Sequence, residues 1–253
     1  MDNGILISLL SSKKSEAKFD AIVQNIANAS TVGYKANRVS FDALMAKLLN
    51  TSPSASNDNQ PSITGSPYAE IDNNIHSITD FSGGKTYYTG NPLDIAIKNE
   101  GFFKVNSPEG TKYTRNGNFT LDNAGHLITS EGFSVLGDAG EIVLRDGNVT
   151  IGNDGSIQSG KSIVGKIALV NFKDLSLLKR NGNTFHLPKG MENQEIAAKD
   201  ASVNQGYLEL SNVNIVQEMV KMLSVVRANE SYQKIIATFN TINYKASNEL
   251  GKF

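Results

Sequence analysis

The chain has 253 residues, 39% of them hydrophobic, with 24 Lys and Arg against 25 Asp and Glu for a formal net charge of −1. That length and composition support a real core in one or two domains and exclude disorder throughout. The near-neutral balance supplies no clustered basic excess to draw nucleic acid or an anionic membrane surface.

Cysteine is absent, which removes disulfides, thiolate metal sites and cysteine nucleophiles. Nothing approaches the ~18 consecutive apolar residues of a membrane span. The start, Met1-Asp2-Asn3-Gly4, lacks the basic stretch of a cleaved secretory signal, so any export uses another route.

The first predicted element is helical. No Gly or Pro interrupts Ile5 to Thr31, and Phe19, Ile22, Ile26 and Ala29 recur at steps of three and four, on one stripe. Gly33 is suited to a left-handed cap after it. A second short apolar-periodic piece holds Phe41, Leu44, Met45 and Leu48. The stretch 49–77 reads as a linker or extended loop, with Pro53, Pro61 and Pro67 among Ser, Asn, Asp and Thr.

Residues 78–204 change to short strand-like runs broken by turn residues, the rhythm of an all-β module. Turns are expected at Pro108-Glu109-Gly110, Asn116-Gly117, Asp122 to Gly125, Glu131-Gly132, Gly137 to Gly140, Asp146-Gly147 and Asp154-Gly155. Gly117 to Leu121 with Gly125-His126-Leu127 is echoed thirty positions later by Gly147 to Ile151 with Gly155-Ser156-Ile157, which predicts two similar hairpins. Two copies are too few for a solenoid or propeller.

The helical period returns in residues 205–253. Ile215, Met219, Met222 and Val226 step by four, three and four, and Tyr232, Ile235, Phe239 and Ile242 continue after a phase change near Ala228, with Ser211 or Asn212 as N-cap. The fold class is therefore α+β. Segments 1–48 and 205–253 form a discontinuous helical domain, paired as a coiled coil, with an all-β domain inserted between them. Both stripes are too long for a β-module of this size to cover, so their partners are each other and the same helices of neighbouring subunits. The stripe residues of both helices are the candidate subunit interface.

Raw material for catalysis is thin. His76, His126 and His186 lie in unrelated contexts without metal-ligand spacing, and neither a nucleophile elbow nor a phosphate loop is present. Asp146 and Asp154 precede glycines, as hairpin turns select, rather than forming a carboxylate pair for glycoside hydrolysis. A calcium loop starting at Asp122 would need a carboxylate where Phe133 stands. No enzyme, cofactor or metal site is expected.

Particular residues carry a resemblance. Asn25-Ile26-Ala27-Asn28-Ala29-Ser30-Thr31-Val32-Gly33-Tyr34-Lys35 resembles the N-terminal signature of the bacterial flagellar rod and hook family, of which Asn25, Ala27, Asn28, Gly33, Tyr34 and Lys35 are the motif positions. Gly90 to Val105 with Tyr113 to Phe119 is similar to that family's central block, and Gln205 to Asn214 to its entry into the last helix. A departure is Asn229, where relatives commonly carry Tyr.

The resemblance implies a structural subunit of the periplasmic rod in the basal body, the axial shaft that carries motor torque. Its partners would be further copies and other rod subunits, with neither nucleic acid nor direct membrane insertion. It also implies export through the flagellar type III apparatus without a cleaved signal, and Phe41 with Met45 resembles the export-gate motif of early subunits.

Overall fold

The computed structural model describes residues 2–40, 76–144, 149–160, 162–198 and 200–250. The short apolar piece with Phe41 and Met45, most of the 49–77 stretch and the Asp146-Gly147 turn lie outside the described residues.

Two long helices bracket the chain: α1 (Asp2–Ala27) and α2 (Ile215–Leu250), the latter about 54 Å long at 1.5 Å per residue. α1 ends four residues before the predicted stop, in a turn closed by Thr31 N donating to the Asn28 carbonyl at 3.1 Å. α2 is capped by Asn214 rather than Ser211 or Asn212: its Oδ1 accepts from Gln217 N at 3.2 Å and its carbonyl from Glu218 N at 2.9 Å. The Asn212 side chain is committed elsewhere, as described below.

The described residues group into two compact units. One holds α1 to Ile26, residues 37–40 and 76–78, and the chain from Asn214 onward; the other holds residues 27–36 and 79–213. In the first, two side-chain bonds join the helices in opposite chain directions. Ser12 Oγ donates to Asn229 Oδ1 at 3.0 Å, and Asn25 Nδ2 donates to Glu218 Oε2 at 3.3 Å. The more buried row of α2 runs Glu218, Met222, Val225, Asn229, Tyr232, Ile236 and Phe239, in steps of four and three. It passes Ala228 without the predicted phase change, because Asn229 takes the position and finds a polar partner in Ser12. Beside the first unit's helices, β1 (Asn37–Ser40) pairs with β2 (His76–Thr79).

The second unit is β-rich. Its main sheet centres on β5 (Phe102–Ser107), hydrogen-bonded to β6 (Gly110–Thr114) and β9 (Ser134–Gly137). Beyond β6 follow β16 (Thr184–His186) and β15 (Lys179–Asn181); beyond β9 follow β8 (Leu127–Thr129) and β7 (Phe119–Leu121). β14 (Leu169–Phe172) and β17 (Glu195–Ala197) also join through β5, and β10 (Gly140–Glu141) through β9. Smaller pieces are β11 (Val149–Ile151) with β12 (Ser156–Ser159) and β13 (Ser162–Lys166), β4 (Ile95–Lys98) with β18 (Ser202–Gln205), and β3 (Thr86–Tyr88) with β19 (Tyr207–Glu209).

Alternation along β5 serves both faces at once. Phe103 and Val105 enter a cluster with Ile95, Phe119, Leu127, Val135 and Ile157, while Phe102 enters an aromatic cluster with Tyr113, Phe172 and Phe185. Each fully buried Phe or Ile contributes about 1.5–3 kcal/mol.

The thirty-residue echo is a pair of hairpins with one register. Phe119 faces Thr129 and Leu121 faces Leu127; Val149 faces Ser159 and Ile151 faces Ile157. Each turn is closed by an aspartate, with Asp122 Oδ1 accepting from Ala124 and His126 N, and Asp154 Oδ1 from Ser156 N and Oγ.

Asn116-Gly117 is not the exposed tight turn its sequence suggests. Asn116 is buried, and Gly117 has no positive φ. Its lack of a side chain serves close approach: a Cβ there would lie 1.7 Å from the Ile95 carbonyl oxygen, and Gly117 O accepts from Ile95 N at 3.0 Å.

Candidate functional site

The segment between α1 and β1 does not continue the helix but folds into the second unit. Gly33 adopts φ 68°, and a Cβ there would sit 2.4 Å from Asn116 N, so both the conformation and the space require glycine. Its left-handed geometry thus serves this packing, six residues beyond the helix it was expected to cap.

Next in sequence, Tyr34 is buried under the Arg180 guanidinium, whose carbon lies 4.6 Å from the ring centroid. Arg180 Nη2 also donates to the Lys35 carbonyl. Lys35 itself is 0% exposed. Its ammonium donates to Glu209 Oε1 at 2.7 Å and to the Ser82 carbonyl at 2.7 Å. The second carboxylate oxygen of Glu209 lies 3.4 Å from Arg115 Nη1, and Arg115 Nη2 donates to the Asn99 carbonyl at 2.9 Å. Glu209 is further held by Gly84 N at 2.8 Å, and its own carbonyl accepts from Gly33 N at 2.8 Å.

Two buried cations therefore share one carboxylate. Burial pushes the Lys35 pKa below 10.5 despite the opposing pull of Glu209, and burial likewise lowers Arg115. Asn212 closes the arrangement, accepting from Ala36 N at 2.7 Å and donating to the Asp80 carbonyl at 2.9 Å.

This cluster joins the three stretches that carry the resemblance: Lys35 from the first, Arg115 from the second and Glu209 from the third. Neither Arg115 nor Glu209 stands out as a site residue in the sequence. The available signal is a charge between apolar neighbours, as in Leu208-Glu209-Leu210.

The other motif positions divide between the units. Asn25 is buried in the first unit, where Oδ1 accepts from Asn37 N at 2.7 Å and Nδ2 donates to Asn37 O at 2.9 Å. Ala27 is the exposed last residue of α1, and Asn28 Oδ1 accepts from Thr31 Oγ1 at 3.2 Å.

Of the predicted stripe, Ile22 is buried, and Phe19, Ile26 and Ala29 are half-buried, Ala29 lying beyond the helix end. Phe19 lines a groove with Ser15, Val225, Val226 and Asn229. On α2, Met222, Tyr232 and Phe239 lie on the more buried row, whereas Ile215, Met219, Val226, Ile235 and Ile242 are exposed. With Val216, Val220 and Leu223 they leave much of the apolar surface of α2 open.

Among the described residues, no group of three or more His, Asp and Glu is arranged to hold a metal ion, and no helix is long and apolar enough to cross a membrane. His126 Nδ1 lies 2.9 Å from Asp122 Oδ2, inside the first hairpin turn.

Residues 96–159 match the family described as flagellar hook protein FlgE/F/G D1 domain, and residues 204–249 match the flagellar basal body rod FlgEFG protein C-terminal family. Across its length the chain is similar to the flagellar basal-body rod proteins FlgF of Caulobacter vibrioides, at 34% identity over 100% of this chain and 99% of the relative, and of Mesorhizobium japonicum, at 30% over 99% of each. It is also 34% identical to the rod protein FlgG of Bacillus subtilis, over 91% of this chain and 92% of the relative. The chain belongs to the FlgE/F/G family of flagellar basal-body rod and hook proteins.

Proposed function

We propose that the chain is a structural subunit of the flagellar rod, of the FlgF or proximal type, whose role is mechanical rather than catalytic. It is exported without a cleaved signal through the type III apparatus, with Phe41 and Met45 as the gate-recognition pair, and it assembles in the periplasmic rod with copies of itself and with other rod subunits. α1 and α2 pair as a coiled coil, and the open apolar surface of α2 packs on neighbouring subunits. Burial of that surface, at about 25 cal/mol per Å², supplies the stiffness through which torque passes.

The observation that carries the reading is similarity to FlgF proteins over almost the whole of both chains. The exposed Met219, Val226 and Ile235 support its interface part. The test is the triple variant Met219→Lys, Val226→Lys, Ile235→Lys expressed in place of the wild-type gene. A folded monomer by circular dichroism, lost swimming and basal bodies whose rods stop short in cryo-electron microscopy are the expected outcome. Normal swimming overturns the interface assignment. Density for the wild-type chain in the distal rod would assign it to the FlgG type instead.

A further inference from the structure

Glu209 holds the two chain segments that connect the helices to the β-rich unit. The outgoing segment, residues 27–36, is fixed by Gly33 N on the Glu209 carbonyl and by Lys35 Nζ on its carboxylate. Glu209 itself lies at the end of β19, in the returning segment that leads to α2. The same carboxylate takes Gly84 N and lies against Arg115, so the loop at 82–84 and the strand exit at 115 close around it.

Each segment has anchors of its own, Arg180 and Asn183 on the carbonyls of Lys35 and Val32 in the outgoing one and the β19–β3 pairing in the returning one, but the bonds that tie the two to each other run through Glu209 and Asn212. In the outgoing one, Ala36 N and Tyr34 O are bound to Asn212, which belongs to the returning one. The returning one is held through Leu210 N to the Lys85 carbonyl and through Asn212 to Asp80 and Ser82, beside the loop that Glu209 and Lys35 also grip. Deleting the Lys35 ammonium leaves Glu209 paired one to one with Arg115 but cuts the side-chain tie to the outgoing segment, whereas withdrawing the carboxylate leaves two buried cations without their anion.

We propose that Lys35, Glu209 and Arg115 form a latch that makes these two segments open and close as one unit. Residues 31–36 and 207–212 are released together or not at all, while the β core stays closed. This property belongs to the isolated chain and does not depend on the rod reading.

The test is native-state amide exchange on the full-length monomer carrying Lys35→Met, which keeps the side-chain length, deletes the ammonium and leaves Glu209 paired with Arg115. The reporters are the amides of Gly33 and Ala36 on the outgoing segment, Leu210 and Asn212 on the returning one, and Ile95 and Leu127 in the core. Exchange at the first four is expected to accelerate by one common factor of about tenfold or more, with the core amides unchanged. Acceleration on one segment alone, acceleration of the core by the same factor, or no change at any of them overturns the latch. Glu209→Asp, which keeps the charge and withdraws it by one methylene, is the second variant. It is read at the same amides under the same criteria, and it decides the matter if Lys35→Met does not fold.

Discussion

The two units treat apolar side chains in opposite ways. In the β-rich unit Phe103, Phe119, Val135, Ile157 and Val203 are completely buried by other residues of the same unit. On α2, Val216 is 70% exposed, Val220 63% and Leu223 58%. A residue type that stabilises the β-rich unit by leaving water thus contributes little on the open face of α2. The β unit covers its own large apolar side chains, whereas α2 leaves a row of them open to solvent.

The comparison breaks most visibly in the core. Phe119→Ala is expected to destabilise the β unit by about 3–5 kcal/mol, read as a lowered denaturation midpoint at unchanged slope. An effect under 1 kcal/mol would mean that the unit is not closed on itself. Gly117→Ala comes next. Its new methyl would meet the Ile95 carbonyl, which is backbone and cannot swing aside, so a loss of about 1–3 kcal/mol by the same measurement is expected.

Lys35 gives a pH dependence of unusual sign. Its pKa in the fold lies below the unfolded value of 10.5 because burial opposes the charge. Between those two values the unfolded chain holds the extra proton, so stability rises with pH across that window. Measured against Lys35→Met, the wild-type chain should gain stability as pH climbs toward 10.5, by up to about 1.4 kcal/mol per pH unit. A falling difference would contradict the dominance of burial.

At the acid end, Asp122 and Asp154 have carboxyls held below 3.8, the first mainly by its bond to His126 and the second mainly by the Ser156 hydroxyl. Their contribution is present above the unfolded value and lost as pH falls through the folded one. Stability relative to Asp122→Asn or Asp154→Asn should therefore be flat above pH ~5 and shrink below ~4, with the two hairpins behaving alike. The smallest effect is predicted on α2: Val220→Ser or Leu223→Ser should change monomer stability by no more than about 0.5 kcal/mol, as thermal unfolding would show.

Features set by local period were legible in the sequence. Both long helices follow from three-and-four spacing, and the two hairpins follow from a repeated turn whose aspartate and glycine act within a few residues. Features set by distant approach were not. Gly117 reads as a turn residue because Asn-Gly usually is one; the reason for its glycine is the Ile95 carbonyl, which lies far away in sequence. The inner row of α2 departs from the apolar period because polar Glu218 and Asn229 occupy it, each answered by a polar residue on α1. Lys35 stands in the motif that carries the resemblance, yet its partner Glu209 lies 174 positions on, beyond any periodicity.

One consequence follows from Asn25. Its amide bonds both the N–H and the carbonyl of Asn37, pinching the polypeptide on either side of the excursion that carries Gly33, Tyr34 and Lys35. That pinch works as a ruler. A single codon inserted or deleted between positions 25 and 37 would leave the amide facing the wrong residue or drag Lys35 off its carboxylate, so this stretch should tolerate changes of letter far better than changes of count.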